Sequence, residues 1–189
     1  MKSFNYKKAV QVVNFFANRE GGTINKLKAL KLVWLADRLH LRVYSRPIIN
    51  DTYYALEHGP VASVTRDIIQ QNQYLQKVEL EYSTTYLSRN GDLEITSLSE
   101  VELKVFSKTD VKILEQIYSQ FGNLNQFELR DLSHKYPEWT KFESQLPRGS
   151  HGRFLMDYLD FFNNPQNNDS IFNNDTELLE LSKQYFSHG

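Results

Sequence analysis

Apolar positions recur at helical spacing through most of the chain. Between residues 4 and 19, Ala9, Val12, Val13 and Phe16 fall at i, i+3, i+4 and i+7, which makes one apolar stripe. Gly21-Gly22 ends that helix, because glycine takes the left-handed turn with little strain. Thr23 is placed to cap a second helix over 24–42, with Leu27, Leu30, Trp34 and Leu41 on its buried side. Arg46-Pro47 closes it, since proline disfavours helical geometry in the residue before it. A short aromatic extended segment, 51–57, follows. Pro60 then opens a third helix running to Gln70, because a first-turn proline loses only an amide without a partner.

The period changes after residue 75. Val78, Leu80 and Tyr82 alternate, as do Leu93 and Ile95, and Asn90-Gly91 lies between β-type runs. That spacing predicts strands over 76–82, 84–89 and 92–97, with a tight turn at Asn90-Gly91. Helical spacing then returns. Ser107 and Asp110 form a capping pair before Val111–Phe121, and Gly122 ends that helix. Asn125 with Glu128 starts another, Pro137 restarts the chain, and Phe154, Tyr158, Phe161 and Phe162 mark a further helix. Six Asn between 163 and 174 give a linker composition, and Thr176–Phe186 reads as a last short helix. The expected class is mainly α (α+β): one compact helical domain with a small antiparallel β-hairpin or sheet inserted between helices three and four.

Composition narrows the function classes. The chain carries 22 Lys or Arg against 23 Asp or Glu, a net charge of −1, which disfavours a general nucleic-acid binder. It holds no cysteine, which removes disulfides, Cys-ligated zinc, iron–sulfur clusters and thiol nucleophiles together. No signal peptide and no membrane-spanning run is read, so a cytoplasmic location is expected. No phosphate-binding glycine loop, nucleophile elbow or helical metal-binding histidine pair is present, and neither metal nor cofactor is expected. Residues 23–46 hold six Lys or Arg against Asp37 alone, while residues 157–180 hold six acids and no base. Two solvated faces that attract each other explain this pattern, and a basic face steering an acidic partner is the functional alternative. A helix-turn-helix reading of 111–139 is opposed by the acidic balance of Glu128, Arg130 and Asp131.

One constellation is more specific. Lys26-Leu27, Leu30 and Leu35-Ala36-Asp37 are followed by Ser45-Arg46-Pro47-Ile48 and by Tyr54-Ala55-Leu56-Glu57-His58-Gly59-Pro60-Val61. Downstream come Glu128-Leu129, Leu132-Ser133-His134, Pro137 and Trp139. In order and spacing, over roughly residues 5–162, this resembles the Panacea-domain family, which includes SocA-like antitoxins and phage-associated GepA-type proteins. The resemblance implies a mostly helical antitoxin of bacteria or phages that binds a cognate toxin protein encoded by the adjacent gene, and that in some cases delivers it to a protease. It implies no reaction and no cofactor. Lys28 and Lys31 depart from the apolar or neutral residues expected on the second helix, and the segment after 162 has no counterpart. The expected organisation is a Panacea-like domain over 1–162, an Asn-rich linker over 163–175, and a short helix and tail over 176–189.

The residues expected to meet a partner are Arg38, Arg46, Tyr53, Tyr54, His58, Pro60 and Val61. Rigid aromatics beside a turn bury large area at small entropic cost. The competing reading places Tyr54 and Val61 in the core and uses Gly59-Pro60 only to shape the chain. Arg38 and Arg46 either clamp Asp51 and Glu57 internally or face the partner. Two further functions stand beside the antitoxin: a DNA-binding autoregulator of its operon, and an enzyme built on His58, Glu57 and Asp37.

Overall fold

The computed structural model describes residues 3–166, 171–172 and 174–188. Helices dominate, with two small antiparallel sheets, so the expected class holds. Helix α1 (Tyr6–Arg19) starts at Asn5, whose side chain accepts from the Lys8 amide, and ends where Gly21 and Gly22 adopt φ of 83° and 107°. The chain then forms β1 (Thr23–Asn25) before entering α2 (Lys26–Tyr44). Asn25, not Thr23, caps α2: its carbonyl oxygen accepts from the Leu27 and Lys28 amides, while Thr23 pairs with Thr96 in a sheet.

Three boundaries differ from the periodic reading. Pro60 does not open a helix. It lies in β3 (Gly59–Ala62), which pairs with β2 (Tyr53–Leu56) across the two-residue turn Glu57-His58. β3 is an edge strand, where a missing amide is tolerated. Helix α3 (Ser63–Ile69) begins later because Asp51 supplies its cap from outside, accepting from Val64 N at 2.9 Å and Thr65 N at 2.7 Å. The strand expected at 76–82 is instead α4 (Lys77–Tyr86), started by a Gln76–Glu79 capping box. Tyr82 and Tyr86, four apart, turn to one side, and the Tyr82 ring meets Tyr6 of α1 edge-on at 5.8 Å. The helix expected at 154–162 divides into β6 (Phe154–Leu155), paired with β2, and a 3₁₀ turn, Tyr158–Phe162.

The hairpin after α4 is present as β4 (Leu87–Asn90) and β5 (Glu94–Ser97), shorter than expected on both sides. Asn90 pairs with Glu94, so residues 91–93 form the loop and only Gly91 takes a positive φ, 68°. The first sheet has the order β1-β5-β4 and the second β3-β2-β6. The remaining helices are α5 (Lys108–Phe121), α6 (Gln126–Ser133), α7 (Pro137–Thr140) and α8 (Thr176–His188). The Ser107–Asp110 and Asn125–Glu128 capping boxes start α5 and α6 as the sequence suggests. Of the expected linker over 163–175, residues 167–170 and 173 lie outside the described residues. Phe172 is buried against Phe121 and Tyr136, and α8 lies against α2.

Helix α2 is the core element, buried continuously from Lys28 to Arg42. Its cations therefore do not form a solvated face. Lys28 Nζ donates to the Gly122 carbonyl at 2.6 Å and pairs with Glu20 at 2.7 Å. Lys31 Nζ donates to the Pro60 carbonyl at 2.7 Å. Arg38 Nε donates to Glu138 Oε1 at 2.7 Å, with both side chains fully buried. Arg42 donates to the carbonyls of Phe161, Phe162 and Phe172 at 2.9, 2.6 and 2.7 Å.

A buried charge stripped of its partner costs several kcal/mol, whereas removing both charges together costs little. Glu138→Ala is therefore expected to destabilise the chain by about 3–5 kcal/mol. The double change Arg38→Met with Glu138→Leu is expected to recover most of that loss. Urea unfolding of the two variants against the unaltered chain checks both.

Candidate functional site

The seven expected contact residues separate on folding. Tyr53 is 1% exposed, its hydroxyl meets Asp37 Oδ2 at 3.1 Å, and its ring lies edge-on to Tyr158 and Phe161. Arg38 is inside the molecule on Glu138. Val61 and Pro60 are buried, and Pro60 offers its carbonyl to Lys31. A residue in these positions supports the fold and presents no side chain to a partner. Tyr54 is half-buried beneath the Arg153 guanidinium, 3.6 Å from the ring centre, and pairs across the hairpin with Val61. His58 is exposed at the hairpin tip. Gly59 is required there: its φ is 90°, and a Cβ would come within 2.2 Å of Ser133 Oγ and 2.8 Å of Lys31 Nζ.

Neither arginine clamps Asp51 or Glu57. Asp51 caps α3, Arg38 holds Glu138, and Arg46 reaches Asp110. The catalytic grouping of His58, Glu57 and Asp37 is not assembled, because Asp37 is buried and bonded to the Ile48 and Ile49 amides while His58 stands in solvent. Trp139 is core, as its place after Pro137 suggests, and its indole N–H donates to the Leu56 carbonyl at 2.8 Å. His134 stacks on Trp139 at 3.8 Å, and burial together with the nearby Lys31 and Arg130 lowers its pKa to about 4.

Arg46 belongs to a different site, a cavity of about 700 Å³ where α2 ends. Its walls are Ser3, Asn5 and Lys8 at the start of the chain, residues 44–50 after α2, and Tyr185 and Phe186 of α8. Ser45 leaves α2 in the left-handed conformation at φ 54°, and Asn50 turns the chain again at φ 59°. Between them Ile48 and Ile49 are fixed from behind, since Asp37 Oδ1 accepts both amides at 2.8 and 3.0 Å. The Ile49 carbonyl in turn accepts from the Asn5 amide at 3.0 Å, which joins the start of α1 to this loop.

Beside the cavity lies one carboxylate with several donors. Asp110 accepts from Lys8 Nζ at 2.5 Å and from Arg46 Nη2 at 2.9 Å, and His40 Nε2 lies 3.0 Å away. His40 Nδ1 faces the Arg46 carbonyl at 2.7 Å, which can only accept, so that nitrogen carries a proton. Burial pushes the Asp110 carboxyl up, but bonds from His40, Lys8 and the Ser107 amide outweigh it and hold it well below the usual carboxylate range. Asp110 is fully buried, while the side chains of Lys8 and Arg46 are 15% and 32% exposed. Lys8, Tyr185 and Phe186 carried no sequence signal. Asp110 was legible only as a cap, because its partner Lys8 is 102 positions away.

Among the described residues, no group of His, Asp or Glu is arranged to hold a metal ion, and no helix is long and apolar enough to cross a membrane. Comparison with protein-family models matches residues 30–140, more than half of the chain, to the family described as "Antitoxin SocA-like, Panacea domain". No curated protein and no solved structure matches.

Asp37, behind the cavity loop, gives a pH test. Burial raises its pKa from 3.8 to about 7, against the lowering effect of the Ile49 and Ile48 amides and Tyr53. A folded-state pKa above the unfolded value stabilises the fold fully below pH 3.8, and that stabilisation is lost as pH rises through about 7. Asn at this position keeps an oxygen for both amides and cannot ionise. Asp37→Asn is therefore expected to gain stability relative to the unaltered chain between pH 5 and 8, by about 2–3 kcal/mol. Denaturation midpoints of both proteins at the two pH values check the sign.

Proposed function

The chain belongs to the SocA-like antitoxin family with a Panacea domain, and from that membership we propose that it neutralises a cognate protein toxin by binding it directly. The family match is the observation that carries this reading. The toxin is the product of the adjacent gene, and the pair acts in the cytoplasm. Neutralisation by masking needs affinity alone: a nanomolar Kd corresponds to about 12 kcal/mol. No turnover is required of the antitoxin, and delivery of the toxin to a protease is compatible with the same binding step.

Burial of the α2 cations bears on the competing functions. Lys28, Lys31, Arg38 and Arg42 are enclosed, so the densest run of positive charge in the chain is withheld from phosphate. His58 is exposed while Asp37 is buried, which weighs against the grouping on which an enzymatic reading would rest.

Co-expression provides the test. The adjacent gene product is expected to arrest growth when expressed alone, to be tolerated when this chain is present, and to copurify with it. A neighbour that is harmless alone, or one that never copurifies, overturns the proposal.

A further inference from the structure

Lys8 and Arg46 are two basic side chains on a single buried carboxylate. Asp110 can neutralise one of them, so the pair presents net positive charge at the cavity rim. The other acid nearby, Asp37, lies behind the Ile48-Ile49 backbone and is not a competing partner on the open side. The remaining wall mixes apolar and aromatic groups, Pro47, Ile48, Tyr185 and Phe186, with the polar residues Ser3, Asn5, Ser45 and Asn50. A positive rim beside a wall of mixed aromatic and polar groups, at a volume of about 700 Å³, has the composition of a site that binds an organic anion.

Helix α8 extends this site outward. Leu179 faces inward and is buried, but Leu178, Leu181 and Tyr185 stand on the open side at 63%, 52% and 74% exposure. Their spacing, i, i+3 and i+7, puts them in one stripe that ends at the cavity. Buried apolar residues on one side explain why α8 docks. They do not explain a second apolar stripe directed to solvent, which is the pattern of a contact surface.

We infer that this cavity receives an acidic side chain of the protein partner, with Arg46 and Lys8 holding its carboxylate and the Leu181–Tyr185 stripe covering the apolar residues beside it. The inference rests on the antitoxin reading for the identity of that partner. Charge complementarity selects the occupant, since a basic segment would meet Lys8 and Arg46 in repulsion.

Affinity of the purified chain for the adjacent gene product tests it. Tyr185→Ser changes the residue shared by the exposed stripe and the cavity wall, leaves the charged rim intact, and is expected to weaken binding about tenfold. Lys8→Gln combined with Arg46→Gln is expected to weaken it about tenfold or more and to flatten its salt dependence. Arg46→Lys, which keeps the charge, is expected to bind nearly as the unaltered chain does. Phe127→Ser, an exposed aromatic on α6 outside the cavity wall, serves as the control and is expected to bind within about twofold. A complex that tolerates Tyr185→Ser and the charge variants equally well overturns the docking site while leaving the antitoxin reading intact. If such a complex is accompanied by a thermal shift in benzoate that the charge variants lack, the cavity belongs to a small carboxylate and the inference is likewise overturned. Absence of any complex for the unaltered chain overturns the antitoxin reading, and this occupant with it.

Discussion

The constraint on which the structure depends is the enclosure of α2. From Lys28 to Arg42 every residue is buried, and six of them are polar or charged. Each polar group must find a partner in the surrounding chain, because an unpaired buried charge is penalised by several kcal/mol. The partners come from separate elements. Lys28 fastens the end of α5, Lys31 the β2–β3 hairpin, Asp37 the loop after α2, and Arg38 the short helix α7. One helix thus fixes the placement of two other helices, a hairpin and a loop by bonds that have direction. Apolar contacts alone would tolerate a rotation or a slip of α2, whereas these pairs are satisfied in one arrangement. Lys31 has the weakest hold, a single carbonyl, and burial drives its pKa well down. Arg42 meets the same pressure, its pKa lowered by burial to about 9, and stays charged at neutral pH.

Local signals in the sequence were read where the chain supplies its own partner. Ser107 with Asp110 and Asn125 with Glu128 are three residues apart, so their helices begin where the spacing indicates. Signals failed where the partner is distant. Asp51 caps α3 from more than ten residues upstream, which moves the helix start from Pro60 to Ser63. Alternation at Val78, Leu80 and Tyr82 suggested a strand. The capping box at Gln76 and the packing of Tyr82 on α1 favour a helix, and Val78 is left half-exposed. The interior place of Arg38 runs against its expected contact role: Trp34, Arg38 and Leu41 share one helical face, and a guanidinium can lie there because Glu138 pairs with it.

The candidate site was legible in one residue only. Arg46 stands out beside Pro47, but its cavity needs Lys8 from α1, Asp110 from α5 and Tyr185 from α8. Such a site follows from tertiary packing and leaves no pattern in any window of sequence. Buried α2 connects the two scales. Because Asp37 fixes Ile48 and Ile49 from the inside, the outer side of the same loop becomes a rigid wall. His40, one turn of helix further on, holds the Arg46 carbonyl and reaches Asp110. The polar groups that lock the core therefore also set the geometry of the cavity wall.

Arg42 carries the same logic beyond the span that matches the family. Residues 30–140 contain Arg38 and Arg42, yet their acceptors include the carbonyls of Phe161, Phe162, Asn163 and Phe172. A carbonyl is offered by every residue type, so this grip reads the path of the chain and little of its sequence. Side chains add specific contacts: Arg42 donates to Asn164 Oδ1 at 2.5 Å and to Asn174 Oδ1 at 3.4 Å, and the Phe172 ring lies 4.8 Å from the Arg38 guanidinium. A tail held mainly through its carbonyls can differ at its other side chains and still be drawn against α2. The outward face of α8 then becomes the part of the molecule least restricted by the core, and the part best suited to distinguish one partner from another.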